Sequence, residues 1–253
     1  MYDKRYFMTI AASDNSGGAG IQQDLKVADR LGFWGLSVVT GITVQNFSGL
    51  DKIYPLALET IKEQFLKNIT SFPLGIIKIG ALCSLEIAKL ITELLLDYPD
   101  IPLVIDPVLS PTKGKAFIEK EDIAVYTNLI KRANLLTPNK RELELLTNTK
   151  ITSYQDAISA GQLLFEKTKC SVYIKGGHFA SKDDLEIKEY LITSNNQKLF
   201  TKAKSKLNYS HGTGCFFASA VACNLLKYAN LEKACQISTD QVSDYYSHLR
   251  LNQ

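Results

Sequence analysis

The residues best suited to chemistry are Ser210-His211-Gly212-Thr213-Gly214-Cys215, which run without a break into the small and apolar stretch from Phe216 to Leu226. Two glycines around a threonine at the start of a helix gather backbone N–H groups where the helix dipole is positive. That combination is an anion hole in outline. Cys215 falls in the first turn of the same helix, where the field favours a thiolate over a thiol whose ordinary pKa is about 8.5. The chemistry suggested is a base beside an anion cradle. Gly-rich helix starts also occur as plain loop geometry, so the rest of the chain must decide between the two.

Other polar groups fall at loop positions that could join this motif. Ser13-Asp14-Asn15-Ser16-Gly17-Gly18-Ala19-Gly20 separates a strand from a helix, yet it has neither the glycine spacing of the dinucleotide fingerprint nor a Gly-Lys-Ser/Thr ending. Asp24, near the start of that helix, either accepts hydrogen bonds from a polar ligand or stabilises the helix dipole. Gln45-Asn46 follow a strand, where a side-chain amide can donate to and accept from a heterocycle or simply form a turn. Asp106-Pro107-Val108 also follows a strand, as a catalytic or metal-associated carboxylate or a turn aspartate. Ser110-Pro111-Thr112-Lys113-Gly114-Lys115 is a basic loop that closes over phosphates or is a solvated turn. Asn139 and Glu142 share a helix face and either hold water around Mg²⁺ or cap the helix. Lys175, before Gly176-Gly177-His178, fits a phosphate partner or a β-turn.

The elements that position these residues follow from hydrophobic period and breakers. Strands are expected over Arg5–Ala12, Trp34–Val44, Leu74–Ile79, Leu103–Ile105, Asn134–Leu136 and Val172–Ile174. Helices are expected over Ile21–Leu31, Pro55–Ile69, Ser84–Leu96, Glu119–Lys131, Tyr154–Lys169, Cys215–Tyr228 and Leu231–Leu249, with one more starting at Pro138-Asn139. Glu186–Thr193 and Lys198–Ala203 form a late antiparallel hairpin. Strands alternating with helices give βαβ units and a mostly parallel sheet covered on both faces. The expected architecture is an α/β, three-layer α/β/α sandwich, and residues 1–253 form a single domain.

Composition narrows the partners. A formal charge of +3 on 253 residues, with no run of Lys and Arg interleaved with aromatics, argues against nucleic acid. No apolar run approaches the roughly 20 residues needed to cross a bilayer, so no membrane partner is expected. The five cysteines form no C-x-x-C pair, no signal peptide precedes them, and a reduced, cytoplasmic protein is expected. The three histidines have no zinc-site spacing, which leaves Mg²⁺ on oxygens as the expected metal.

Taken together, T-I-A-A-S-D-N-S-G-G-A-G-I-Q-Q-D-L-K at 9–26, V-Q-N at 44–46, K-I-G at 78–80, D-P-V at 106–108, L-L-T-P-N-K-R-E at 135–142, K-G-G-H at 175–178 and H-G-T-G-C at 211–215 resemble hydroxymethylpyrimidine/phosphomethylpyrimidine kinase of thiamine biosynthesis, within the ribokinase-like superfamily. The resemblance implies a ribokinase-like fold and ATP-dependent phosphorylation of 4-amino-5-hydroxymethyl-2-methylpyrimidine and then of its monophosphate. It implies a pyrimidine pocket at Gln45, Asp24, Gly20 and Val108. It further implies nucleotide or phosphate contacts at Lys175, Asn139 and Asp106, and Mg²⁺ at Glu142 and Asp106, directly or through water. An anion hole at Gly212, Thr213 and Gly214, Cys215 as base, and a homodimer complete the set.

Ala12, where the family usually has glycine, Ala81, where a larger apolar residue often follows K-I-G, and the 110–115 loop depart from the pattern. The chain ends at Gln253 without the family's usual G-H-G-P-V-like tail, and no ATP contact is assigned there. Two other readings are a pyridoxine/pyridoxal kinase of the same fold and a non-catalytic pyrimidine or nucleotide sensor.

Overall fold

A computed structural model describes residues 6–46, 49–109, 122–177, 179, 185–204 and 211–248. The 110–115 loop, Ser210 and His178 lie outside these. Among the described residues nine strands form one sheet: β1 (Tyr6–Asp14), β2 (Trp34–Asn46), β3 (Gly49–Pro55), β4 (Leu74–Ile79), β5 (Leu103–Ile105), β6 (Leu135–Leu136), β7 (Ser171–Ile174), β8 (Glu186–Ile192) and β9 (Gln197–Ala203). Their order is β3-β2-β1-β4-β5-β6-β7-β8-β9. The six strands from β2 to β7 are parallel, and antiparallel pairs close both sides. The expected late hairpin is β8–β9.

Among the described residues eight helices cover the sheet: α1 (Gly20–Arg30), α2 (Leu58–Ser71), α3 (Leu85–Leu95), α4 (Ile123–Lys131), α5 (Lys140–Thr147), α6 (Tyr154–Thr168), α7 (Thr213–Tyr228) and α8 (Leu231–His248). Strand alternation divides the core in two. Met8, Ile10, Ile77, Ile79, Leu103, Ile105, Val172 and Ile174 face a layer holding Ile61, Phe65, Ile87, Ile130, Leu143 and Leu164 of α2–α6. Phe7, Ile76, Val104, Leu135 and Tyr173 face a layer holding Val27, Ala28, Phe217, Val221, Ala234 and Val242 of α1, α7 and α8. This is the three-layer arrangement expected, and burial of both sheet faces explains the near-continuous apolar runs of the central strands.

One region differs from the expectation. The sequence ends the strand at Val44, followed by Gln45-Asn46, and starts a helix at Pro55, whereas β2 continues through Asn46 and pairs antiparallel with β3. The pattern is weak because β3 is an edge strand: Asp51, Lys52, Tyr54 and Pro55 are all exposed, and charge and proline on an edge suppress further strand pairing. The following helix begins at Leu58 rather than Pro55.

Candidate active site

Because β1, β4, β5, β6 and β7 are parallel, their carboxyl ends lie on one edge, the usual ligand edge of such sheets. Three backbone bonds carry the ladder past the strands: Asp106 N–H donates to Ile79 O (2.8 Å), Thr137 N–H to Ile105 O (2.9 Å) and Lys175 N–H to Pro138 O (3.0 Å). Asp106, Thr137 and Lys175 therefore stand in a row. Lys175 Nζ lies 2.7 Å from Asp106 Oδ1 and 3.6 Å from Glu142 Oε2, and Thr137 Oγ1 donates to Asp106 Oδ1 over 3.4 Å.

Glu142 enters this row through a capping box. Asn139 Oδ1 accepts from Glu142 N–H at 3.0 Å, while Glu142 Oε2 accepts from Asn139 N–H at 2.7 Å. The cap is thus real, and it aims the Glu142 carboxylate at Lys175. Burial, opposed by Lys175 and reinforced by Asp106, pushes Glu142 up to about 7. Asp106 moves the other way: burial raises it, but Lys175 and then Lys78 hold it below the usual carboxylate range. Tyr126 of α4 adds a group the sequence did not flag. Its hydroxyl is buried and has no hydrogen-bond partner among the described residues. Burial first, and then the Asp106 and Glu142 charges, push that hydroxyl far above the ordinary tyrosine range.

The first turn of α7 sits over the cluster. A Cβ added to Gly214 would be 3.3 Å from Lys175 Nζ and 3.4 Å from Asp106 Oδ2, so the backbone of this turn lies directly against the cluster. A helix leaves its first N–H groups outside its own ladder, and here the ladder begins with Phe216 N–H to Gly212 O at 2.8 Å. No acidic residue occupies the first turn. Gly212, at φ +81°, packs so tightly that a Cβ would fall 1.8 Å from Gly18 O. The anion-hole turn and the Gly-rich loop after β1 are thus one assembly. Gly20 completes it, at φ +57° where a Cβ would collide with the Ala12 carbonyl oxygen.

Three expectations are corrected or sharpened by these positions. The helix field was expected to favour a thiolate at Cys215. Instead burial dominates and pushes the thiol up to about 12, with Lys78 opposing it only in part. Asp24 was expected in the pyrimidine pocket, but it is 0% exposed and bonded to Thr9, Lys78 and Ser219. Its carboxylate is sealed inside the protein. Gln45 remains partly exposed near the end of β2, its N–H donating to Asn15 Oδ1 at 2.8 Å. It stands three strand positions from Asp106, roughly 14 Å across the sheet at ordinary strand spacing. The structure therefore gathers Asp106, Asn139, Glu142, Lys175 and Gly212–Cys215 and leaves Gln45 at a distance. Val108, partly exposed, follows Asp106 and donates its N–H to the Asp106 carbonyl at 2.8 Å.

Asp14 and His211 were legible only as parts of their motifs. Asp14 Oδ1 accepts from Ser16 N–H and Oγ–H, and Oδ2 accepts from Ala19 N–H at 2.7 Å and meets His211 Nε2 at 3.0 Å. An aspartate followed by Asn-Ser-Gly-Gly is the sequence signal for such a loop anchor.

A parallel sheet with a carboxylate pair, a lysine and a Gly-Thr-Gly helix start on its carboxyl edge defines a ribokinase-like phosphotransferase. Residues 14–251 match the phosphomethylpyrimidine kinase family, to which the chain belongs. The hydroxymethylpyrimidine/phosphomethylpyrimidine kinase of Haemophilus influenzae is 32% identical over 98% of this chain and 93% of its own length. That of Aquifex aeolicus is 31% identical over 94% and 92%. Among solved structures, the phosphomethylpyrimidine kinase of Clostridium difficile 630 superposes with a TM-score of 0.80 at 32% identity, covering 95% of this chain and 98% of that one. The ADP complex of Bacillus subtilis pyridoxal kinase gives 0.89 at 25% identity, covering 98% and 94%.

Proposed function

We propose that this kinase transfers the γ-phosphoryl group of ATP to the hydroxyl of 4-amino-5-hydroxymethyl-2-methylpyrimidine, and then to the resulting monophosphate, with the reaction centred on the Gly212–Cys215 turn. The observation that carries this is the close approach of Gly214 to Lys175 and Asp106, which puts backbone N–H groups and a cation around one point. Phosphoryl transfer needs positioning and charge stabilisation more than covalent help, and these groups supply both. Lys175 bears on the nucleotide phosphates. Gly20 and Val108 lie on the pyrimidine side, and Gln45 reads the ring from the end of β2.

Cys215 is the candidate base. Only its thiolate can accept the hydroxyl proton, so the thiol's own proton must first leave to solvent, and the raised pKa keeps that form scarce near neutral pH.

The carboxylates suit Mg²⁺. Asp106 Oδ2 and Glu142 Oε1 have no hydrogen-bond partner among the described residues, and no cluster of three or more His, Cys, Asp or Glu offers a full protein cage. Two carboxylate oxygens fit an ion that keeps several waters and takes its remaining ligands from phosphates. When bound, Mg²⁺ neutralises phosphate charge. Asn139 acts through the capping box that aims Glu142.

We also infer a cytoplasmic homodimer. Ile42 (48% exposed), Val44 (43%) and Tyr54 (54%) form an apolar face on the β2–β3 hairpin suited to a second copy. All five cysteines are free, which suits a reducing compartment. Among the described residues no helix is long and apolar enough to cross a membrane. Sedimentation of the purified chain tests the dimer.

The deciding assay couples ATP consumption to hydroxymethylpyrimidine, its monophosphate and pyridoxal in parallel. Turnover of both pyrimidines is expected. Turnover of pyridoxal alone would replace the substrate assignment, a reading favoured only by likeness to pyridoxal kinases at 25% identity. Binding without turnover on all three would favour the sensor.

A further inference from the structure

Behind the first turn of α7 an ion pair is sealed inside the protein. Lys78 of β4 and Asp24 of α1 are both 0% exposed, with Nζ 3.0 and 2.9 Å from the two carboxylate oxygens. Strand register explains how they meet. Thr9 and Lys78 are neighbours across the β1–β4 ladder, and alternation points both toward the layer of α1 and α7. Thr9 Oγ1 donates to Asp24 Oδ2 at 2.6 Å, and Ser219, one turn beyond Cys215 on α7, donates to Asp24 Oδ1 at 2.8 Å. A Cβ on Gly80 would lie 2.8 Å from Lys78 Nζ, so the K-I-G glycine makes room for the ammonium group.

Taking two charges out of water is costly, and well-packed apolar residues often hold a fold as firmly. Stability alone therefore does not account for this pair. Its bonds suggest what does: through Thr9, Lys78 and Ser219 the single Asp24 carboxylate ties β1, β4 and α7 to α1, and Ser219 stands one turn from Cys215.

We propose that the Lys78–Asp24 pair is a positioning element of the phosphoryl-transfer site, fixing α1, β1, β4 and α7 in register and so holding the Gly212–Cys215 turn in place. Neither residue touches substrate. The inference rests on the assignment of phosphoryl transfer to that turn.

The test compares Lys78→Met with the double variant Lys78→Met/Asp24→Leu. The single variant leaves a buried carboxylate without its cation and lowers the melting temperature sharply; the double variant recovers most of it. The expected result is that the folded double variant still turns over about tenfold or more slowly, with KM for ATP and pyrimidine within about twofold of the parent. Its affinity for ADP with aluminium fluoride, which mimics the phosphoryl group in flight, falls by a similar factor while affinity for ADP alone holds.

A double variant with parental turnover overturns the proposal, as does one whose loss lies wholly in KM. Should it not fold, Thr9→Val/Ser219→Ala keeps both charges and removes two of the bonds that orient Asp24. A severalfold loss of turnover is expected there, and parental turnover again overturns the proposal. Lys175→Met serves as the control for the site itself. If it is inactive while the Lys78 variants are normal, only this inference falls; if it too is normal, the site assignment falls.

Discussion

Asp14 Oδ2 lies 3.0 Å from His211 Nε2, joining the carboxyl end of β1 to the residue just before the anion-hole turn. Burial alone would raise Asp14, but the bonds from His211, Ser16 and Ala19 prevail and hold it well below the usual carboxylate range. A depressed carboxylate contributes stability above its unfolded pKa, about 3.9, and loses it as pH falls through the folded value. Asp14→Asn should therefore cost about 1–3 kcal/mol at pH 7. Denaturant unfolding at pH 7, 4 and 2.5 checks this: the gap between parent and variant should narrow below pH 4. His211→Ala should lower turnover more than stability, because it frees the loop from the turn while Asp14 keeps Ser16 and Ala19.

The contrast between these residues and Asp24 marks what the sequence could reveal. Layer order, the parallel strands and the late hairpin were legible because apolar runs and breakers are local signals, written within each element. The Gly212–Cys215 turn, Asp106, Glu142 and Lys175 were legible because strand ends and helix starts are local too. Asp24 was misplaced for a non-local reason. Whether a first-turn carboxylate faces solvent depends on which strand packs beneath it, and nothing near Asp24 announces Lys78, 54 residues away. The Cys215 thiol was misjudged likewise: the helix dipole is readable from spacing, whereas the burial that overrides it comes from the whole fold. Strand β3 escaped because its exposed, charged face carries little alternation.

Cys215→Ala should reduce turnover by about 10²–10⁴-fold while nucleotide binding persists, as expected for loss of a positioned base. Parental turnover in this variant would remove the assigned role. The raised thiol gives a separate check. With its pKa near 12, the thiolate fraction at pH 8 is far below that of a free cysteine. Alkylation of Cys215 by iodoacetamide, followed by mass spectrometry, should be slow at pH 8 and should still be rising at pH 10.

Glu142, raised to about 7, should make cation-dependent binding sensitive to neutral pH. Below that value the carboxyl holds a proton that must leave before it can serve a cation, so affinity for Mg²⁺ with nucleotide should strengthen as pH rises from 6 to 8. Calorimetry in buffers of different ionisation enthalpy should register proton release on binding near pH 6.5. Glu142→Gln should abolish that release and flatten the pH dependence. Because glutamine can still accept from Asn139 N–H, the cap of α5 should persist.

Gly212 and Gly214 stand two residues apart, yet alanine should act at each by a different route. At Gly212 a Cβ would collide with Gly18 O at 1.8 Å from a residue at φ +81°, so Gly212→Ala must displace the Gly-rich loop and should lower both stability and turnover. At Gly214 the nearest atoms are Lys175 Nζ at 3.3 Å and Asp106 Oδ2 at 3.4 Å, which are side-chain ends able to give slightly. Alanine also favours the helix over glycine by about 0.8–1 kcal/mol. Gly214→Ala should therefore melt at or above the parental temperature. Its methyl group would nonetheless occupy the space where phosphate oxygens meet the α7 amides, and turnover should fall about 10²-fold or more. Thermal melts and steady-state assays on the two variants separate the routes. Normal turnover in a folded Gly214→Ala would mean that the phosphoryl group does not pass over this turn.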